Sequence, residues 1–351
     1  MTRVLVTGGS GFIGKHLVAA LIAQGKRVRA LDVRPPPRIL PQVEQVSGSV
    51  LDREVVRRAM DGVDQVYHLA GLPGMWLPRK ADFHTVNCGG TEVVIETARK
   101  LGIKRLLHCS TESILFRASS SKIGAPDDAL VPEDMPGPYT RSKMLADRLV
   151  MEAAASGYPV VIGCPTMPIG PYDHSVTPPT AMLRYFLDRR LQMHLDFVVN
   201  LVGVRDAAEG LILAMERGQS GHRYVLGGQS MPLSQVLEIL AEISGRRVRR
   251  IQVNGKIAEL AAAVLEFVAD HVTRRPPSGT AEGVRIALRA GALSIEKAQR
   301  ELGYSPAPIE PVLRETIAYL IGAGDNQDEW GSTSDTRRRP FRVERRLGGR
   351  F

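Results

Sequence analysis

Cysteine, tryptophan and long apolar runs are all scarce in this chain of 351 residues. Its three cysteines, Cys88, Cys109 and Cys164, show no CxxC spacing, so no zinc site or disulfide framework is indicated. Glycines interrupt the first apolar run, "MTRVLVTGGSGFIG", too early for a signal peptide core or a membrane span. We therefore expect reduced thiols, no bound metal and a cytoplasmic location.

Positive charge is unevenly distributed along the chain. The net charge is +9, and the last sixteen residues, "TRRRPFRVERRLGGRF", hold seven arginines against one glutamate. Subtracting these six charges from nine leaves about three on the body, which does not indicate a nucleic-acid binder. We predict that residues 326–351 form a basic, disordered tail. Peripheral contact with an anionic membrane surface, or with a partner, is the alternative.

Predicted strands and helices alternate through the first half of the sequence. "TRVLVT" and "RVRALDV" have the composition of strands, and "KHLVAALIA" between them has helical spacing. The alternation continues through the strands "DQVYHLAG", "KRLLHCST" and "PVVIGCP". This order predicts the α/β class, with a doubly wound parallel sheet of the Rossmann type.

The pattern changes after Pro165. "PTMPIGPYDHSVTPP" is rich in proline, and "FVVNLVGVRDAAEGLILAMERG" predicts a strand and a helix that return to the first domain. From His222 onward the sequence predicts a smaller lobe. We assign residues 1–170 and 195–220 to the Rossmann domain, and residues 171–194 and 221–325 to a C-terminal substrate-binding α/β lobe.

One predicted helix of this lobe has a marked apolar stripe. Between Ile257 and Val272, the side chains of Leu260, Val264, Leu265 and Val268 share one face. Such a stripe is more often part of a core than a membrane contact. We therefore predict that this face is buried.

A glycine-rich loop follows the first predicted strand. "VTGGSGFIGKHL" places Gly8, Gly11 and Gly14 where a tight turn, a close approach of pyrophosphate and close helix packing each need a small residue. The first amides of the following helix, near Phe12 and Ile13, would face the phosphates. The loop predicts a dinucleotide cofactor; a merely structural tight turn is the alternative.

The second predicted strand ends in an acidic residue, Asp32. A carboxylate there accepts hydrogen bonds from ribose hydroxyls and repels a 2′-phosphate, which favours NAD over NADP. Arg34 lies two residues on and would support NADP instead. Asp32 as a plain surface strand end remains a third interpretation.

A tyrosine and a lysine stand four residues apart in "GPYTRSK". On a helix this spacing puts Tyr139 and Lys143 on one face. A free phenol has a pKa of about 10 and is a poor base at neutral pH, but a neighbouring ammonium and an oxidised nicotinamide both favour the phenolate. The pair therefore predicts a tyrosine general acid or base; an exposed helix pair is the alternative.

The GxxGxxG loop and the Tyr-x-x-x-Lys motif together resemble the extended short-chain dehydrogenase/reductase family. The resemblance runs from the first residue to roughly residue 322. It includes "YHLAG", where similar enzymes pass the chain under the cofactor, "VNCGGTEVVIETA", which matches an Asn-x-x-Gly-Thr helix start, and "HCSTES".

The resemblance implies a role for individual residues. Thr111 would hold the substrate oxygen, with Ser110 as the neighbouring alternative, and Tyr139 would transfer the proton. Lys143 would also bond the nicotinamide ribose. Further cofactor contacts implied by the family are Leu69, Ala70 and Pro165. Similar proteins are often homodimers, so we expect one here.

A finer resemblance points to the hopanoid-associated sugar epimerase group and to dihydroflavonol reductase-like enzymes. It is carried by "GMWLP", "CPTMPIGPYD", "YVLGGQ" and "ELGYSP". In such proteins the first two segments line the substrate cleft, so Met75, Trp76 and Met167 would form an apolar wall for a bulky substrate; core packing is the alternative for each. The substrate residues that we predict are Met75, Trp76, Ser110, Glu112, Met167 and His174.

Two activities compete on this basis. The first is an NAD-dependent oxidoreductase, which transfers a hydride between the nicotinamide and a secondary alcohol or ketone carbon. The second is a nucleotide-sugar epimerase or dehydratase that keeps its NAD. The arginine that usually binds a sugar-linked diphosphate is missing before "VNLVGV", although Arg184, Arg189 and Arg190 could replace it. An acid at Glu112 is shared with dehydratases. A redox-sensing binding protein on the same fold is a third possibility.

Overall fold

The computed structural model describes residues 2–34, 40–116, 131–245 and 248–322. Its strands are β1 (Arg3–Thr7), β2 (Arg27–Asp32), β3 (Val43–Ser47), β4 (Gln65–His68), β5 (Arg105–Cys109), β6 (Val160–Pro165), β7 (Met167–Ile169), β8 (Leu191–His194), β9 (Val198–Gly203), β10 (Arg223–Leu226), β11 (Gln229–Pro232) and β12 (Arg249–Gln252).

Helices alternate with these strands. They are α1 (Phe12–Ala23), α2 (Arg53–Met60), α3 (Ala81–Phe83), α4 (Gly90–Lys100), α5 (Pro138–Ala155), α6 (Pro178–Asp188), α7 (Val204–Arg217), α8 (Leu233–Ser244), α9 (Gly255–Val268), α10 (Ala281–Arg289), α11 (Glu296–Leu302) and α12 (Ile309–Gly322). A π-helical turn, His84–Gly89, joins α3 to α4, and a second one, Ala269–Thr273, continues α9.

Seven parallel strands form the main sheet, in the order β10-β6-β5-β4-β1-β2-β3. The chain moves outward from β1 in one direction and from β4 in the other, so the strand order reverses between them. Open parallel sheets bind ligands beyond the carboxyl ends of the strands at such a reversal. The predicted doubly wound Rossmann sheet is confirmed, and its topology places the glycine loop at this point.

Helices cover both faces of the sheet. Its central strands are almost wholly buried; β6, for example, is buried along its whole length. One apolar cluster packs α1, α7 and α11 on one face, and a second packs α2, α4 and α5 on the other. Strands that are buried on both faces consist of nearly continuous aliphatic residues, which explains the apolar segments of the sequence.

The second lobe has its own small sheet and core. Strands β7 and β11 flank β9, and β12 pairs with β8. Helices α6, α8 and α12 pack on this sheet around residues such as Leu183, Leu237 and Leu313. The tail predicted at 326–351 lies outside the described residues. Among the described helices, none has the length and apolarity that a membrane span needs.

Sheet pairing moves two of the predicted domain boundaries. The sequence pattern returns β9 to the first domain with residues 195–220, yet β9 pairs with β7 and β11, and only α7 packs on the main sheet. The same pattern assigns β10 to the 221–325 lobe, yet β10 pairs with β6 as the seventh strand of the main sheet. A strand pattern predicts extended backbone but does not encode the partner strand.

The prediction that the apolar stripe of α9 is buried is wrong. Leu260 and Val264 are 69% and 56% exposed, and Ala262 is the one residue of α9 that is fully buried. The helix is turned so that alanines and acids face the protein. Periodicity establishes that a helix has an apolar face, but it does not establish what that face contacts.

Candidate active site

The glycine turn after β1 packs directly against the chain that follows β4. Gly8 has a φ of +72°, and a side chain there would place its Cβ 2.8 Å from the amide nitrogen of Ala70. At Gly14 a Cβ would lie 2.1 Å from the carbonyl oxygen of Gly8. Both positions therefore exclude every residue but glycine, and the turn brings α1 close to β1 as the loop motif predicts.

The N-terminus of α1 is open to a ligand. The helix begins at Phe12 after Gly11, which makes no side-chain cap, and its first turn contains no acidic residue. The amides of this turn point toward the carboxyl edge of the sheet, where they can bind an anion. Leu69 and Ala70 are half-buried above the turn, held by hydrogen bonds of 3.0 and 3.2 Å to Thr7. This cradle fits the pyrophosphate of a dinucleotide.

The end of β2 is fixed against the same turn. One carboxylate oxygen of Asp32 accepts a hydrogen bond of 3.0 Å from the amide of Ser10, and the other accepts one of 3.1 Å from the amide of Arg34. Ser10 is not among the residues that the sequence predicts for the site. The side chain of Arg34 is exposed. The acidic group therefore has a fixed orientation at the edge of the cradle.

Helix α5 carries the tyrosine and lysine. Pro138 occupies its first position, where the missing N–H costs nothing, and this fixes the start of the helix one residue before Tyr139. The ring of Tyr139 packs edge-on against Phe83, with ring centroids 5.9 Å apart. Its phenol lies near the Thr111 hydroxyl, which shares a hydrogen bond of 3.0 Å with the Ser113 hydroxyl. Lys143, one turn along, donates to the carbonyl oxygen of Cys109 at 2.8 Å.

The phenol of Tyr139 is a weaker acid than the motif predicts. Burial raises its pKa to about 12, and the nearby Thr111 hydroxyl offsets only part of this rise. The motif predicts a lower pKa from Lys143 and an oxidised nicotinamide acting together. Instead, the Lys143 ammonium is engaged by the Cys109 carbonyl. At neutral pH the phenol is therefore protonated, which is the form that donates a proton.

A carboxylate from the second lobe holds the start of α5. Glu282, on α10, is buried and accepts hydrogen bonds from the amides of Tyr139 at 3.2 Å and Thr140 at 2.8 Å. It also accepts one of 2.8 Å from the Thr140 hydroxyl. A Cβ on Gly137 would lie 2.5 Å from its carboxyl carbon. Sequence reasoning missed Glu282, because nothing local connects it to α5.

Asn87 ties the cofactor side of the site to α5. Its side-chain oxygen accepts a hydrogen bond of 2.7 Å from the amide of Leu72, and its nitrogen donates to the Ser142 hydroxyl at 3.0 Å. Asn87 is buried within the π-helical turn. Its only signal in the sequence is the Asn-x-x-Gly-Thr pattern, which carries the family resemblance but does not by itself reveal these contacts.

Glu112 follows Thr111 and is buried. Burial raises the pKa of its carboxyl well above the usual value, and the nearby Asn200 on β9 opposes this only in part. Within the part of the chain that the structure describes, its second oxygen, Oε2, has no hydrogen-bond partner. Glu112 therefore favours its uncharged form more than an exposed glutamate does, and it lies near Tyr139.

The other residues predicted for the site lie on several elements and differ in burial. Ser110 and Pro165 are buried at the ends of the two neighbouring strands β5 and β6. Met167, on β7, is half-buried and packs on the core of the second lobe. His174 is exposed beside Asp173, and burial together with Lys15 lowers its pKa. The structure does not bring His174 into contact with Tyr139.

The loop after β4 bridges the site and the second lobe. Met75 lies against Gly283 of α10, so close that a Cβ on that glycine would be 3.0 Å from its sulfur. Trp76 donates from its indole nitrogen to Asp270 at 2.7 Å, and the Lys80 ammonium sits 5.0 Å from its ring centre. Both side chains are half-buried. Within the described ranges, no three histidine, cysteine or acidic side chains converge as a metal site.

This fold and this site define a dinucleotide-dependent α/β enzyme with a tyrosine–lysine pair. Residues 4–227, more than half of the chain, match the model of the NAD dependent epimerase/dehydratase family, and the chain belongs to that family. Its resemblance to the extended short-chain dehydrogenases/reductases is thereby confirmed, and NAD is its cofactor class.

Curated relatives and solved structures extend the match over most of the chain. A ketoreductase of Stigmatella aurantiaca, named for 4-hydroxy-2-methyl-3-oxo-4-farnesyl-3,4-dihydroquinoline-1-oxide, is 31% identical over 86% of this chain and 92% of its own. Sterol demethylase protein B of Methylococcus capsulatus is 26% identical over 91% and 98%. The UDP-glucose 4-epimerase of Thermus thermophilus shares the fold, with a TM-score of 0.73, 23% identity and coverage of 92% and 100%.

Proposed function

We propose that this protein is a net oxidoreductase that interconverts a secondary alcohol and a ketone on a bulky apolar substrate. NAD, when bound, supplies the hydride acceptor or donor. The observation that carries the proposal is the position of the Tyr139 phenol beside the Thr111 hydroxyl at the carboxyl edge of the sheet. Thr111 orients the substrate oxygen, and Tyr139, protonated at neutral pH, donates its proton to that oxygen in the reductive direction.

The remaining residues divide between the cofactor and the substrate. Lys143 holds the cofactor ribose and keeps a positive charge near the phenol. The residues assigned to the cofactor are Gly8, Gly11, Phe12, Ile13, Gly14, Asp32, Arg34, Leu69, Ala70, Tyr139, Lys143 and Pro165. Those assigned to the substrate are Met75, Trp76, Ser110, Glu112, Met167 and His174; Glu112 acts as an uncharged hydrogen-bond donor, and His174 stays at the rim.

The names of the relatives support an apolar substrate. The ketoreductase is named for a farnesyl-bearing ring ketone, and the second relative for a sterol. Half-buried Met75 and Trp76 supply apolar surface of the kind such substrates need. Of the three arginines that could bind a nucleotide diphosphate, Arg189 is engaged with the ring of Tyr185.

The second candidate is an epimerase or dehydratase that retains its NAD. The family includes both reactions, and the uncharged acid Glu112 beside Thr111 favours this candidate because elimination of water needs a proton donor. Purification separates the two candidates. We expect protein with little bound NAD and a change in reduced-nicotinamide absorbance during turnover of ring ketones and sterols. Stoichiometric bound NAD and no net absorbance change with UDP-sugars would favour the epimerase or dehydratase over the oxidoreductase.

We further propose a preference for NAD over NADP, based on Asp32. We expect NADH to bind about tenfold or more tightly than NADPH, because the fixed carboxylate repels a 2′-phosphate. Asp32→Ser should narrow this ratio to near one, measured by fluorescence titration of both cofactors. Asp188→Ser, at the end of α6, is the matched control and should leave the ratio unchanged. Tighter binding of NADPH by the wild type would contradict the proposal.

Assembly and location are proposed from the family resemblance and the sequence. We place the protein in the cytoplasm as a homodimer that acts on a small-molecule alcohol or ketone. The arginine-rich tail, outside the described residues, is proposed to reach an anionic membrane surface by charge alone. Sedimentation of the full chain at low and at high salt tests the assembly. High salt screens the charges of the tail, so an association that persists there does not depend on the tail.

A further inference from the structure

Helix α9 is amphipathic, but its apolar face is exposed to solvent instead of packing on the core. Its large apolar side chains face outward, and its acids face the protein. The outer α9 face consists of Ile257, Leu260, Val264, Phe267, Val268 and Val272, each exposed by more than a third. Leu288 of α10, packed against Gly255, is half exposed beside it. Apolar patches of this kind mark interaction surfaces in soluble proteins.

The acids of this segment all pair with other residues of the protein. Glu259 pairs with Arg285 at 2.7 Å, and Glu266 pairs with Lys80 at 3.1 Å. Asp270 receives the Trp76 indole hydrogen bond and also pairs with Lys80 at 3.2 Å. These contacts fix the rotation of α9, so its apolar side cannot turn into the core without breaking them. These contacts therefore hold the apolar face of α9 on the outside of the protein.

Cations border the outer α9 face at both ends. Lys256 is exposed in the first turn, and Arg274 and Arg275 are exposed just after the π-helical turn. In the described part of the chain, none of these three makes an ion pair. An apolar strip between basic ends, whose neighbouring acids are paired with Arg285 and Lys80, is the surface that binds an anionic bilayer at the headgroup boundary.

The same charges disfavour a second copy as the occupant. Two outer α9 faces in contact would bring basic ends against basic ends, whether the helices ran parallel or antiparallel. No acid on either face could compensate, because the three acids are engaged inside each copy. Like charges placed opposite each other oppose such a contact.

We propose that the outer α9 face docks this protein onto an anionic lipid bilayer. Leu260 and Phe267 embed at the boundary between headgroups and acyl chains, and Lys256, Arg274 and Arg275 contact the headgroups. Docking places the loop of Met75 and Trp76 within about one helix diameter of the bilayer, because Trp76 is bonded to the inward side of the same segment. That last link rests on the proposed function, since it would let an apolar substrate enter from lipid; docking itself does not.

Vesicle sedimentation without substrate tests the docking surface separately from the chemistry. We expect the full chain to bind phosphatidylglycerol-containing vesicles and to bind pure phosphatidylcholine vesicles more weakly. Leu260→Ser with Phe267→Ser should lower the affinity for the former by about tenfold or more, because two large side chains no longer enter the lipid. Ile321→Ser, which alters a side chain 58% exposed on α12, is the matched control and should have no effect.

A second pair of substitutions tests the contribution of the basic residues to docking. Arg274→Ser with Arg275→Ser should lower vesicle affinity about fivefold or more without changing any packed contact. NADH binding and the melting temperature should match the wild type in both double variants. Three results would overturn the proposal: no binding by the wild type, full binding by Leu260→Ser with Phe267→Ser, or complete loss on replacing only Arg337, Arg338 and Arg339 of the tail. A dimer that dissociates in the Leu260–Phe267 variant would assign the face to a second copy instead.

Discussion

Replacing Tyr139 with phenylalanine lowers kcat by a factor of about 10³, while NADH binding and the melting temperature stay close to wild type. The phenol is the group placed to move a proton at the substrate oxygen, and losing such a group typically costs between about 10² and 10⁴ in rate. The ring remains, so its edge-on packing against Phe83 is kept. Steady-state turnover with each active ketone provides the measurement.

The matched control for this variant is Tyr185→Phe. It removes a phenol of the same size from α6, where the ring packs on Phe186 and Arg189, away from the glycine turn. Its turnover should be unchanged. Near-normal turnover of Tyr139→Phe would exclude the tyrosine mechanism, and loss of NADH binding in that variant would show that the phenol acts on the cofactor instead.

Gly14→Ala abolishes detectable NADH binding and destabilises the fold by about 1 to 3 kcal/mol, the usual range for overpacking. The new methyl carbon would lie 2.1 Å from the Gly8 carbonyl oxygen, and neither can rotate away, because one is fixed to Cα and the other is a backbone atom. Helix α1 must therefore move off the turn, which removes its amides from the phosphate cradle. Fluorescence titration of NADH and thermal unfolding measure the two effects.

Two companion variants separate cofactor binding from folding. Gly11→Ala places its methyl group 3.1 Å from the Gly8 carbonyl and in otherwise open space, so this variant should fold normally yet weaken NADH binding about tenfold. Gly279→Ala meets nothing within 4 Å and should behave as wild type. Full NADH affinity in Gly11→Ala would contradict the assignment of this turn as the phosphate site.

Local patterns accounted for the parts of the molecule that are local in the chain. The glycine turn, Asp32 and the Tyr139–Lys143 spacing each lie within one or two consecutive elements, where spacing alone determines which side chains share a face. The alternation of strands and helices determined the fold class for the same reason. Each of these features is visible in a window of a few tens of residues.

Features that depend on distant packing could not be predicted. The apolar stripe of α9 is visible in the sequence, but its outward orientation follows from ion pairs with Lys80 and Arg285, far away in sequence or on another helix. The pKa of Tyr139 rises because of burial that only the assembled lobes create. Strand composition likewise does not reveal which strands β9 and β10 pair with, so it could not predict the sheet that each one joins.

The Glu282 contact makes the two lobes mutually dependent during folding. Three donors at the beginning of α5 obtain their acceptor from a side chain 142 residues further along the chain. Until α10 has docked, the amides of Tyr139 and Thr140 are satisfied only by water, and the residue that carries the reactive phenol lacks its final anchor. A chain that ends before residue 282 would thus complete the parallel sheet without completing its chemistry, so competence is acquired last, when synthesis reaches the final fifth of the chain.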